Sequence, residues 1–179
     1  MAAMLKEWSS VVSALESGEQ SVLLRKGGIL ETASGFRVEA RRFWLYPTWE
    51  HQAPDNVREE FRQHLERGRP PRGTNTITSY AEVVGEADVE SADAVRRLEP
   101  LHIWSREYVE ARRGWEPQRP LKAVLLRVFR TPPASIPVLA EYSGCKSWLE
   151  MDGDADGGRP VLDDTRAADI REQFRSITS

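Results

Sequence analysis

The run KAVLLRVFR at 122–130 constrains the fold more than any other part of this chain. It is a nearly continuous apolar stretch between charges, too short for a buried helix, and it reads as a strand inside a sheet. A second such run, RFWLY at 42–46, carries almost nothing but apolar and aromatic side chains, so both of its faces need something to pack against. Pro47 is expected to end it, because proline cannot donate to a ladder. Around these two strands the sequence supplies covering elements. Leu5, Trp8, Val11, Val12 and Leu15 fall at helical period, and Gly18 is placed to stop that helix. Residues 21–25 read as a short strand and Lys26-Gly27-Gly28 as the turn after it. Asn56 is placed to cap a helix through about residue 67, with Val57, Phe61, His64 and Leu65 along one side. GRPPRGTNT at 68–76 is a loop, 77–84 a strand, and Ser91 and Ser105 cap two further helices. Residues 147–151 are the expected partner of the 122–130 strand, and 163–177 form a terminal helix with Ala167, Ile170, Phe174 and Ile177 inward.

Helices and strands in this order do not alternate, which disfavours a doubly wound parallel sheet. The expectation is an α+β fold: one domain over residues 1–179, with a mixed or barrel-like sheet and peripheral helices. A chain of 179 residues is long enough to bury a core without metal or disulfide. Its single cysteine, Cys145, excludes an internal disulfide and fits a reducing compartment. No run of 18 apolar residues occurs, and MAAMLKEWSS lacks the apolar stretch of a signal peptide, so a cytoplasmic location with no membrane partner is expected. The net charge of −3 removes any general attraction to nucleic acid while leaving room for a local basic face. Arginine outnumbers lysine 21 to 4, and arginine is the better residue for bidentate phosphate contacts and for stacking.

Chemistry is densest at FWLYPTWEHQ, 43–52, where a strand runs out into Trp49, Glu50, His51 and Gln52. Trp49 would stack on a planar ligand, Glu50 or His51 would exchange protons, and Gln52 would contact a base edge. LHIWS at 101–105 sets His102 and Trp104 just before a helix, with Arg112 and Arg113 at the far end of it. Arg25 and Lys26 add two cations at a strand end. Glu50, His51 and His102 are therefore the candidate catalytic residues. Arg25, Lys26, Trp49, Gln52, Trp104, Arg112 and Arg113 are the candidate nucleic-acid contacts. HExxH, CxxC, GxSxG, GxGxxG and the Walker spacing are all absent, so no metal and no cofactor is expected. The acidic stretch DGDADGG at 152–158 has the spacing of a calcium loop but ends on Asp163, lacks a bidentate glutamate, and follows a strand pattern; it reads as a solvated loop.

LLRKGGI at 23–29, FWLYPTWEHQ at 43–52, LHIWS at 101–105, the RRGWEP to LLRVFR run over 112–130 and YSGCKSW at 142–148 resemble, in order, the bacterial family called domain of unknown function 1802. That resemblance implies a single-domain protein and supplies no reaction. GEQSVLLR at 18–25 is similar to the GxKxxExR signature of ASCH domains, RNA-related barrels of the PUA-like group. Gly18 and Arg25 match, while Gln20 replaces the lysine and Leu23 the glutamate. The likeness implies a barrel and a nucleic-acid role without ASCH-type catalysis. Three readings follow. The leading one is a domain that binds nucleic acid or a nucleotide at a Trp/His/Gln strand end with arginines nearby. The second is a metal-dependent phosphodiesterase or nuclease using Glu50, His51 and His102. The third is a protein-interaction module. The oligomeric state is left open.

Overall fold

The computed structural model describes residues 1–26 and 35–179. The chain opens with strand β1, Ala2–Trp8, followed directly by helix α1, Ser9–Ser17. The expected single helix from Leu5 is thus half strand. β1 is paired on both sides, parallel to β3 (Arg42–Thr48) and antiparallel to β6 (Trp148–Met151). Two ladders outweigh the intrinsic preference of a short apolar segment, whose period is ambiguous at this length. Gly18 does end the helix, in the left-handed region at φ 82°, and a side chain there would press on Leu162.

The remaining strands among the described residues are β2 (Val22–Arg25), β4 (Thr74–Val89), β5 (Leu121–Pro137) and β7 (Arg159–Pro160). The sheet runs β2-β5-β4-β3-β1-β6, with β7 added beside β5, and β1–β3 is its parallel pair. Among the described residues it is mixed and does not close, so the architecture is α+β with an open sheet. Residues 148–151 pair with β1 and not with β5, which takes β2, β4 and β7 as neighbours. Pro47 stays within β3. Pairing with β4 ends at Trp44, so no ladder bond is lost there, and the Pro47 carbonyl accepts from Asn75 Nδ2 at 3.0 Å.

Both faces of β3 are covered. Phe43 and Leu45 enter the main core with α1 and β5, whereas Trp44 and Tyr46 pack with Met4, Ile77, Tyr142 and Leu149 on the opposite side. The helices α2 (Ala92–Arg97), α3 (Arg106–Gly114) and α4 (Asp164–Thr178) begin at the side-chain caps Ser91, Ser105 and Asp163. α4 lays Ile170, Phe174 and Ile177 inward, and the Phe174 ring sits where a Cβ on Gly85 of β4 would lie 3.1 Å away. Residues 56–67 form no single helix. They make the 3₁₀ turns Pro54–Asn56 and Glu59–Glu66, tied down by Arg58 to the carbonyls of Glu99, His102 and Trp104. His64 still faces inward, its Nδ1 2.8 Å from Ser13 Oγ on α1. Of the expected turn after β2, Gly27 and Gly28 lie outside the described residues.

Candidate nucleic-acid interface

The carboxyl ends of the parallel strands β1 and β3 open into a cleft of about 970 Å³. Lys6, Glu7 and Trp8 arrive on β1, and Tyr46 to His51 on β3 and the turn that follows. Residues 69–75 and 143–147 form two walls, and Tyr108 and Arg112 of α3 close a third. The volume lies at the upper end of what small-molecule sites enclose. A smaller cavity of about 250 Å³, between β5 and α4, is lined mainly by aliphatic side chains and holds none of the candidate catalytic or nucleic-acid-binding residues.

Arg25 anchors the floor. Its Nη1 donates to Glu7 Oε2 and to the Lys6 carbonyl, both at 3.0 Å, its Nη2 donates to Ser147 Oγ at 2.6 Å, and its guanidinium lies 4.8 Å from the Phe36 ring. Glu7 is nearly fully buried, so this ion pair is a fixed part of the fold. Tyr108 borders the same floor. Burial pushes its hydroxyl pKa up, the Arg112 and Arg25 charges pull it down, and the Glu7 carboxylate pushes it up. An aromatic string runs beneath, Trp8 to Tyr108 at 5.1 Å and Tyr108 to Trp104 at 6.5 Å between centroids. Lys6 reaches the Gly144 carbonyl at 3.1 Å, and its pKa is lowered by burial and then by the neighbouring Lys146 charge.

The strand-end segment forms the outer wall. Trp49 is half-buried and donates its indole N–H to the Arg67 carbonyl at 2.9 Å, while the Arg69 guanidinium stands 5.7 Å from its ring centroid. Glu50 is exposed and paired with Arg69 at 3.1 Å. Its own backbone N–H, and then the Trp49 N–H and Arg69, hold its carboxyl below the usual carboxylate range. His51 takes a positive φ of 68°, which turns the chain out of the strand and leaves the imidazole exposed at the cleft edge.

Arg25, Trp49, Glu50, His51, Trp104 and Arg112 therefore share the cleft wall, and four other candidates do not. Gln52 turns away to α1, accepting from Ser10 Oγ and donating to Ser9 Oγ, both at 2.9 Å. Lys26 is buried, donates to the Arg113 carbonyl, and has its pKa lowered by desolvation and the nearby arginines. Arg113 is engaged by Glu110 and the Glu90 carbonyl. His102 is 1% exposed, accepts from the Trp104 backbone N–H through Nδ1, and has its pKa lowered to about 3 by burial and then by Arg58. It is a neutral core histidine, and it does not join His51. Trp104 lines the cleft only at its base, being 3% exposed, so the expectation of an open ring there gives way to a packed one.

Lys6, Glu7, Arg69, Arg72, Tyr108, Lys146 and Ser147 were not singled out by sequence. Only the two arginines bracketing Pro70-Pro71 carry a local signal, as cations held on a stiffened loop. Among the described residues no group of three His, Cys, Asp or Glu side chains is placed to hold a metal ion. No described helix is long and apolar enough to cross a membrane.

No curated protein matches the chain by sequence. Among solved structures, the ASCH protein from Zymomonas mobilis is similar at 16% identity over 99% of this chain and 95% of that one, with a TM-score of 0.45. A serine-to-alanine mutant of that protein is similar at 16% identity, 84% and 87% coverage and a TM-score of 0.45. A tyrosine-to-phenylalanine mutant is similar at 15% identity, 84% and 89% coverage and a TM-score of 0.42. The family model described as Domain of unknown function (DUF1802) matches residues 4–173, and this chain, with its cleft at the ends of a parallel strand pair, belongs to that family.

Proposed function

We propose that the cleft binds nucleic acid or a nucleotide through unpaired bases and backbone phosphates. One observation carries this reading: the charge of the cleft is opposite to that of the protein. Six cations, Lys6, Arg25, Arg69, Arg72, Arg112 and Lys146, face two carboxylates, Glu7 and Glu50, an excess of four positive charges on a chain of net −3. Both carboxylates are already ion-paired. Among the described residues, Arg72, Arg112 and Lys146 have no carboxylate within ion-pair distance, so a ligand anion meets them unopposed. Concave walls of one sign focus the field and concentrate the counter-charge. Trp49 adds the edge of an aromatic face, and stacking on such a face is open only to bases that are not paired in a duplex.

The hydrolase reading draws less support. His102 is buried, neutral and absent from the cleft lining, which leaves Glu50 tied to Arg69 and His51 alone at the rim. The interaction-module reading needs a contiguous apolar face. Among the described residues the large exposed apolar side chains are Met1, Trp115, Val138 and Leu139, and Trp115 is flanked by Arg112 and Arg119 at 5.2 and 5.9 Å.

Titration of tryptophan emission with single-stranded oligonucleotides at several salt concentrations tests the proposal. Saturable quenching is expected, with log affinity falling against log salt at a slope of about −2 to −3 for three or four phosphate contacts. Absence of quenching, or an affinity indifferent to salt, would overturn it.

A further inference from the structure

The strand-end wall of the cleft is satisfied by its own side chains, and this arrangement deepens the nucleic-acid reading on which it rests. Trp49 is oriented by the bond from its indole N–H to the Arg67 carbonyl, which fixes the plane of the ring. The guanidinium of Arg69 stands 5.7 Å from the ring centroid, where a stacking base would lie. Arg69 is kept there by Glu50, Nη2 to Oε1 at 3.1 Å. Glu50 is in turn fixed as an anion by its own backbone N–H and by that of Trp49. The cation suited to a phosphate is thus on a carboxylate, and the ring suited to a base is under the cation.

This set is built to exchange. The Arg69 and Glu50 side chains are 61% and 62% exposed, and ion pairs so open to water add little net stability. A phosphate can offer the guanidinium two parallel charge-assisted bonds where Glu50 supplies one. It also leaves Glu50 anionic and still held, because the N–H groups of Glu50 and Trp49 that bind its carboxylate do not depend on Arg69.

We propose that Glu50 is the specificity-determining residue of the cleft: it occupies Arg69 in the free protein and yields it to a backbone phosphate, which draws Arg69 aside and uncovers Trp49 for the adjoining base. The ligand class follows. A nucleoside brings a ring but nothing to displace Glu50, and inorganic phosphate displaces Glu50 but gains no stacking. An unpaired nucleotide unit inside a strand brings both. Glu50 then acts as an internal competitor and not as a general base.

The sign of one substitution separates these roles. Fluorescence anisotropy of a fluorescein-labelled octathymidylate reads affinity for the wild type, Glu50→Gln, Arg69→Ala and the double variant, with melting curves of all four to read folding separately. Glu50→Gln is expected to tighten binding about two- to fivefold, the scale of an exposed ion pair. Glu50→Gln also raises the general positive charge of the cleft, so the double variant is decisive: with Arg69 absent, the gain is expected to vanish. Unlabelled thymidine and inorganic phosphate, each at millimolar concentration, should not displace the probe. If the wild type binds and Glu50→Gln is unchanged or weaker, or gains as much without Arg69, the competitor role is overturned while the nucleic-acid reading stands. If none of the four forms binds the probe, both fall together.

Discussion

His102 gives the structure a measurable response to acid. In the fold its pKa lies at about 3, because the imidazole is buried and Arg58 stands beside it. In the unfolded chain the same group titrates near about 6.5. Between those values the unfolded chain takes up a proton that the folded chain refuses, so stability is whole above about pH 6.5 and falls as pH drops toward 3. Linkage puts the loss from this one group at about 2 kcal/mol between pH 7 and pH 5, and about 5 kcal/mol over the full descent. For a chain of this size 2 kcal/mol corresponds to about 4–8 °C in Tm. The assay is urea unfolding at pH 7 and pH 5 for the wild type and His102→Gln, which keeps an acceptor for the Trp104 N–H and removes the titration. The wild type should lose about 2 kcal/mol more than the variant across that interval. Histidine NMR on the wild type supplies an independent reading, with the His102 imidazole showing no titration down to pH 4.5. Equal pH dependence in the two proteins, or a His102 imidazole titrating near its ordinary value, would refute a neutral buried His102.

Arg25→Ala should cost about 3 kcal/mol, seen as a lower urea midpoint, because it strands the buried Glu7 carboxylate; adding Glu7→Gln should restore part of the loss. Arg25 is therefore a poor choice for probing binding, whereas Arg112→Ala should weaken oligonucleotide binding several-fold, reduce the salt slope by about 0.7 and leave the melting curve in place. Phe174→Ala should cost about 3–5 kcal/mol in chemical unfolding, since that ring is buried against Gly85 and the core. Calcium at millimolar concentration should not move Tm, as the 152–158 loop lacks the bidentate carboxylate of a calcium site.

How much of this was legible in the sequence depended on whether the information was local. Ser91 and Ser105 cap the helices expected to begin there, because a cap is a contact within three residues. The 122–130 run lies in β5 and the 42–46 run is covered on both faces, as their apolar continuity required. What failed was pairing. β1 looked helical because Leu5 and Trp8 fall in phase with the residues of α1, and its two ladder partners sit about forty and 145 residues downstream. The same blindness shaped the site. Trp49, Glu50 and His51 were visible as a dense local segment, but Lys6, Glu7, Lys146 and Ser147 reach the cleft only through the parallel β1–β3 pair and the β1–β6 ladder. His102 misled in the other direction: a histidine beside a tryptophan before a helix looks like a site, and only its burial shows it to be core.

The most direct test of a nucleic-acid-binding cleft is to map where an oligonucleotide touches the protein. Amide and indole N–H resonances would be followed by NMR as unlabelled octathymidylate is added at low salt. The shifts are expected to concentrate on the Trp49 indole, on residues 69–75 and 143–147 and around Lys6 and Arg112, leaving α4 and the 250 Å³ aliphatic cavity unchanged. Shifts confined to α4 or spread evenly over the surface, or none at all, would contradict it.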